Sequence, residues 1–319
     1  MQKSTEELTR CSTVTLAEEV AGNNVDKATT RTIPEKIMGV CKKFARWIVL
    51  LDLLLLTSMV IVLAVLEFGA IPYKQFGFFC NDPKISHKFT GDTISMVTLL
   101  SSLLLAPLIT IWIVECVCYS ADNYKNEGYN GYRSKYIWTW YRHYIVVFIV
   151  LAFVCECIKI LIGEPRPHFL DTCKPREAIN CTDEYFSSYT CTNTDNSAWF
   201  VMDSSRSFPS GHAALSVFTC IFVVWYLQYR LLTRMFYLKP WLQSMACLWA
   251  VVCSATRVAD KRHHWWDVAV GAVMGILFGM FLVTTLCRYF RVKCANDAVL
   301  KQPPSDSVAE NGQISFAEK

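Results

Sequence analysis

The sequence predicts an all-α protein, a bundle of six transmembrane helices, and three observations carry that prediction. Hydrophobic residues make up 53% of the chain against 18% charged, with a mean hydropathy of +0.28. The apolar residues fall in long blocks of roughly 20, the length that crosses a hydrocarbon core of about 30 Å. Between the blocks, Lys and Arg sit beside the apolar ends, as they do at membrane–water interfaces. The net charge of +4 is small. Its placement reads as membrane anchoring and site chemistry, which excludes nucleic acid as a partner. Of the 15 cysteines, most lie inside apolar blocks, where thiols behave as small hydrophobes.

The elements follow in order. Residues 1–35 are polar and lack an apolar run of secretory-signal length, so they read as a disordered cytoplasmic tail ahead of a membrane domain over 36–294. Lys36, Lys42, Lys43 and Arg46 precede a first span over about 47–66 and favour a cytoplasmic N-terminus. Asp52, inside that span, is expected to face other helices or an interface rather than lipid. A polar loop, 69–92, leads to a second span over 95–117, and a basic turn with Lys125, Arg133 and Lys135 leads to a third over 137–162. Near its end Glu156 and Lys159 stand three residues apart and can neutralise one another.

A polar segment then runs to Phe208, after which Pro209-Ser210-Gly211-His212 opens a fourth span reaching about 227. Pro suits a first helical turn, and the Ser210 and Gly211 amides are expected to be unpaired and aimed at an anion, which Gly211 lets approach closely. A basic turn (Arg230, Arg234, Lys239) separates a fifth span, about 241–255, and the sixth covers about 266–287. Its Gly271, Gly275 and Gly279 permit close helix packing within the bundle. Arg288, Arg291 and Lys293 end it, and 295–319 reads as a second disordered cytoplasmic tail.

The stretch 256–267, Thr-Arg-Val-Ala-Asp-Lys-Arg-His-His-Trp-Trp-Asp, is the most reactive on the chain. If the helix has begun by His263, Asp267 lies one turn away on the same face, where a carboxylate orients an imidazole and leaves its other nitrogen free as nucleophile or base. Arg257 adds a guanidinium suited to an oxyanion or phosphate, so the stretch points to phosphoryl chemistry. An interfacial anchor is the plain alternative for such a basic cluster.

Parity argues against it. With six spans, Lys159 and Arg166 leave the third, His212 enters the fourth, Arg257 leaves the fifth, and His263 and Asp267 enter the sixth, all on one side. Glu164 and Asp260 are expected to face away. The juxtamembrane Lys and Arg put both termini in the cytoplasm and the reactive face outside. Asn180-Cys181-Thr182 is a glycosylation acceptor on that side. Cys80, Cys173, Cys181 and Cys191 fall on that side too, and their three alternative pairings stay open.

Lys159 with six residues before Arg166-Pro167, then Pro209-Ser210-Gly211-His212, then Arg257 with five residues before His263 and three before Asp267, resembles the three-part signature of the type 2 phosphatidic acid phosphatases. The likeness is closest to the lipid phosphate phosphatase branch with its wunen-like proteins. Arg166-Pro167-His168-Phe169-Leu170-Asp171, Lys261-Arg262-His263-His264-Trp265 and Phe79-Cys80-Asn81-Asp82 are similar to that branch, so the resemblance covers roughly 40–290. Thr256 departs from it, standing where the family has Ser.

The resemblance implies a helical-bundle phosphatase with its active site at the outer membrane face, working through a phosphohistidine without metal or other cofactor. His263 would be the nucleophile, Asp267 its orienting carboxylate and His212 the acid for the leaving alcohol, with Lys159, Arg166, Ser210, Gly211 and Arg257 binding phosphate. Phosphoryl transfer is mostly positioning and charge neutralisation, which three cations and a helix N-terminus can supply in place of Mg²⁺. The implied partners are the bilayer, preferably the plasma membrane, and a lipid phosphate: phosphatidic acid, lysophosphatidic acid, ceramide 1-phosphate or sphingosine 1-phosphate. A homo-oligomer is left open. A non-enzymatic scaffold of the same fold would have lost these catalytic residues, and a transporter would line the midplane with polar groups.

Overall fold

The computed structural model describes residues 35–67, 75–117 and 129–290, apart from 180, 183, 232 and 234. In chain order it contains α1 (Glu35–Glu67), β1 (Phe78–Phe79), α2 (Met96–Val117), α3 (Tyr129–Ile162), α4 (Phe169–Cys173), β2 (Tyr185–Phe186), α5 (Ala198–Asp203), α6 (Gly211–Arg230), α7 (Leu238–Ala259) and α8 (Trp265–Phe281). Six of these, α1, α2, α3, α6, α7 and α8, are long and apolar enough to cross a membrane. The six-helix bundle is therefore as the hydropathy requires. Helices α3 and α7 extend beyond the expected spans, because apolar length sets what lies in lipid whereas caps and turns set where a helix stops. Of the expected tails, only Glu35 is among the described residues.

Helix α1 keeps Leu50, Leu51, Leu53, Leu54 and Leu55 exposed, a surface fit for lipid. Asp52 is exposed too, so it does not face other helices; it lies near the start of the apolar window that begins at Leu50. The last carbonyls of α1, which no intrahelical donor can reach, are capped from elsewhere. Arg206 donates to the Leu66 carbonyl at 2.9 Å, and the Trp199 indole donates to that of Glu67 at 3.0 Å.

Helix α6 is the axis of the bundle, and its aromatic face fills the centre. The Tyr144 ring of α3 lies 4.8 Å from Phe222 and 5.4 Å from Phe218. Its hydroxyl donates to the Leu103 carbonyl at 2.8 Å and sits 2.7 Å from the Thr219 hydroxyl, satisfying polar groups that lipid cannot. Near the far end of α6, Arg230 donates to both oxygens of Glu115 at 2.9 and 2.7 Å, a buried charge pair of the kind an apolar bundle tolerates.

Helices α6 and α8 meet closely, with backbone against backbone at two of the three glycines. A Cβ on Gly271 would come within 2.5 Å of the Ser210 carbonyl, and one on Gly275 within 2.5 Å of the Ala214 carbonyl. The glycine repeat is thus the seam that seats one helix on the other.

Beyond the helix ends, the first and third loops are joined. Strands β1 and β2 pair antiparallel, Phe78 opposite Phe186, and the disulfides are Cys80–Cys181 and Cys173–Cys191. Phe78, Ile85, Phe169, Cys173 and Tyr189 form a small core between them. The thiols of Cys116, Cys155, Cys157, Cys220, Cys247, Cys253 and Cys287 are free.

Candidate active site

Backbone hydrogen bonds stitch the three motifs together. The Arg166 amide donates to the Ser204 carbonyl at 2.8 Å, Ser207 to Glu164 at 2.8 Å, and Ser210 to Asp267 at 3.1 Å. The Ser210 amide is therefore engaged, contrary to the expectation that it would face an anion. Ser210 is the N-cap of α6 and Pro209 precedes it, so the free amides of the first turn begin at Gly211.

The turn from α7 into α8 explains a spacing. Lys261 adopts a left-handed φ of 55°. Arg262 then donates back to the Arg257 carbonyl at 3.0 Å and Lys261 to Val258 at 3.2 Å, the two bonds of a Schellman cap. The His263 amide also reaches the Arg257 carbonyl, at 3.2 Å, so five intervening residues bring His263 back beside Arg257. Helix α8 starts at Trp265 with His264 as its N-cap, and Asp267 at its third position accepts the His264 amide at 2.9 Å. His263 is therefore outside the helix, and its relation to Asp267 is not the one-turn stacking the sequence suggested. Nδ1 lies 3.7 Å from Asp267 Oδ2, too far for a hydrogen bond.

Each expected phosphate-holding cation already has a carboxylate partner. Lys159 Nζ is 2.5 Å from Glu156, within 3.8 Å of where a Cβ on Gly211 would stand. Arg166 donates through NH2 to Asp203 Oδ1 at 2.6 Å and through Nε to the Asp203 carbonyl at 2.8 Å. Arg257, buried on all sides, reaches Asp92 at 3.0 Å, the Ile94 carbonyl at 2.9 Å and Asp260 at 3.2 Å. Asp260 therefore does not face away: it also accepts the Thr93 amide and hydroxyl at 2.8 and 2.7 Å. Glu164 accepts the Trp266 indole at 2.9 Å. A buried guanidinium requires a counter-charge, and these carboxylates supply it. Thr256 turns its hydroxyl to the Cys253 carbonyl at 3.1 Å, so its difference from Ser leaves the site untouched.

Several residues in the cluster lie outside the expected site: Asp203, Asp92 and Thr93 carry no motif, whereas His168 and Arg262 stand in stretches similar to the family's. Asp203 bridges Arg166 and Arg262, whose charges outweigh the burial that would raise its carboxyl and hold it down at about 2. Arg262 lies over the adjacent rings of Phe89 and Phe200 at 5.4 and 5.2 Å, and donates to His168 Nε2 at 3.1 Å. That leaves His168 Nδ1 to donate to Thr172. Burial, with Arg166 and Arg262 nearby, pushes His168 down to about 3. Asp92 and Thr93 come from the first loop, which parity puts on the same face.

The centre holds His263 and His212. Burial, then Arg166, push His263 down to about 3 against the pull of Asp267, so its imidazole is neutral at physiological pH. His212 lies within electrostatic reach of Arg257, His263, Lys159 and Arg166. Among the described residues, His212 Nε2, Ser210 Oγ and Arg257 Nε are buried and have no hydrogen-bond partner. Buried polar atoms of this kind are costly unless something occupies the space before them. Glu164, His264 and Asp267 offer ligand atoms within 4.8 Å of one another, a spacing open to a cation. Asn180 lies outside the described residues.

The profile of the PAP2 superfamily matches residues 140–291. The chain is similar to phospholipid phosphatase 2 of Bos taurus, 29% identical over 82% of this chain and 92% of the relative. It is 30% identical to phospholipid phosphatase 1 of Mus musculus over 72% of this chain and 80% of that one. Phospholipid phosphatase 2 of Homo sapiens is 28% identical over 82% and 92%. No solved structure matches. The motifs that backbone bonds draw together here lie largely inside the matched segment, and with these relatives they show that the chain belongs to the PAP2 superfamily, in its phospholipid phosphatase branch, as a membrane lipid phosphatase.

Proposed function

We propose that this phosphatase hydrolyses phosphate monoesters of lipids, among them phosphatidic acid, lysophosphatidic acid, ceramide 1-phosphate and sphingosine 1-phosphate, through a phosphohistidine and without metal. The observation that carries the reading is the pair of unpartnered atoms, His212 Nε2 and Ser210 Oγ, among cations next to a neutral His263. Lys159, Arg166, Arg257 and the first amides of α6 hold the phosphate oxygens, with Gly211 allowing close approach. His263 forms the N–P bond with its lone pair as the bond from phosphorus to the lipid oxygen breaks, and His212, protonated once the phosphate's negative charge offsets the cations around it, gives that oxygen its proton. Water, relieved of a proton by His212, then attacks phosphorus and frees His263. Asp267 steadies the cationic imidazole between the two steps.

Purified protein should release phosphate from a panel of these lipids in excess EDTA. Inactivity towards the whole panel would sink the substrate assignment. Activity lost in EDTA and restored by Mg²⁺ or Zn²⁺ would instead put a metal at Glu164, His264 and Asp267.

We further propose that the site faces the extracellular or lumenal side of the plasma membrane, with both termini, including the tails 1–35 and 295–319, cytoplasmic. The juxtamembrane Lys and Arg support this, as do the two disulfides, which belong to an oxidising compartment. Asn180→Gln should remove an endoglycosidase-sensitive mass shift. An unglycosylated wild type whose 163–208 loop resists external protease would reverse the assignment.

A further inference from the structure

We propose that Ser207 is a positioning residue for the reaction, its hydroxyl standing between His263 and Asp267 so that the carboxylate orients the imidazole through it. This rests on the reading of His263 as nucleophile. Asp267 Oδ2 is 3.7 Å from His263 Nδ1, beyond hydrogen-bond range, while Ser207 Oγ is 2.5 Å from that oxygen and 3.4 Å from Nδ1. Ser207 is fully buried, and its amide is tied to Glu164 at 2.8 Å, so its place is set by the backbone that joins the second motif to the first.

The donor inventory fixes the direction. A carboxylate only accepts, so the single hydroxyl proton of Ser207 goes to Asp267. Towards His263 the same oxygen can then only accept, which requires the imidazole proton to be on Nδ1. Nε2 is left with its lone pair, the state a nucleophile needs. When Nε2 bonds to phosphorus and the lipid oxygen departs, no proton has to cross Ser207. The imidazolium keeps its Nδ1 proton, and the charge is felt by Asp267 through the bridging hydroxyl. The His264 amide, 2.9 Å from the same carboxylate oxygen, keeps Asp267 from turning away.

The test compares full-length wild type with Ser207→Ala and Ser207→Thr, using ¹⁵N-histidine spectra, steady-state kinetics on a lipid phosphate and inhibition by inorganic phosphate. The His263 resonance is identified by its loss in His263→Ala. We expect Nδ1-protonated His263 in the wild type and a shift of the proton to Nε2 in Ser207→Ala. That variant's kcat should fall by about tenfold, the rate equivalent of one lost hydrogen bond of ordinary strength. KM and phosphate inhibition should not change, because the cations are untouched. Ser207→Thr, which keeps the hydroxyl, should restore tautomer and rate.

Unchanged tautomer and kcat in Ser207→Ala would overturn the proposal, since His263 would then be held by Asp267 directly. Equal losses in both variants with weaker phosphate inhibition would overturn it as well, leaving Ser207 a merely structural role. Turnover that survives His263→Ala would defeat the nucleophile reading separately, and the tautomer comparison would still decide whether Ser207 orients the ring.

Discussion

His263→Ala should abolish turnover in a protein that still reaches the membrane, a loss on the order of 10⁴-fold or more as for other removed nucleophiles. Its neighbour is the sharper control. His264 also lies near Asp267, with Nδ1 at 3.4 Å, but what it gives that carboxylate as a hydrogen bond is its backbone amide, which alanine keeps. The side chain stacks on Trp266 at 4.5 Å, away from the paired cations. His264→Ala should therefore add no more than ~1.4 kcal/mol to the barrier, about tenfold in rate. Rapid-quench detection of the covalent intermediate would distinguish the two, and the reverse pattern would refute the assignment. His212→Ala belongs in the same experiment. A lipid alkoxide needs a proton to leave, so phosphoenzyme formation should slow by roughly 10²- to 10⁴-fold, but far less with p-nitrophenyl phosphate, whose leaving group needs none. Equal slowing would make His212 a phosphate ligand only.

Gly271→Ala should be damaging out of proportion to its single added methyl. The added Cβ would meet a backbone oxygen, that of Ser210 at 2.5 Å, which cannot rotate out of the way. Overpacking of this kind costs about 1–3 kcal/mol. The greater effect is on rate. Ser210 donates to the Asp267 carbonyl and caps α6, so displacing it moves the amides that face phosphate, and a shift of about 1 Å can cost on the order of 10²-fold. Gly279→Ala should cost stability with a smaller loss of rate, because its Cβ would come within 2.9 Å of the Ile221 Cβ, a contact well along α6 from Ser210. Melting temperature in detergent and kcat measured together would check both. Wild-type values for Gly271→Ala would mean the seam is looser than described.

Hydropathy sufficed for the six spans, and parity with motif spacing sufficed to bring Lys159, Arg166, His212, Arg257, His263 and Asp267 to one face. What the sequence could not reveal are contacts across long separations. Asp92 meets Arg257 165 residues away, and Ser207 meets Asp267 across 60; a short polar side chain in a loop has no periodicity to betray it. The disulfide pairing was hidden for the same reason. The inward turn of Asp260, expected to face away, is of another kind. Buried arginines need carboxylates, and that rule applied to Arg257 with Asp260 three residues on would have turned it inward.

The bond between Ser210 and Asp267, with all of α7 between them in the chain, sets an order of events during synthesis. Lys159 follows its partner Glu156 by three residues and Arg257 finds Asp92 already made, whereas Arg166 waits 37 residues for Asp203. His263 and Asp267 come only with the last span. On the proposed reading, the growing chain therefore carries no complete site until that span is made.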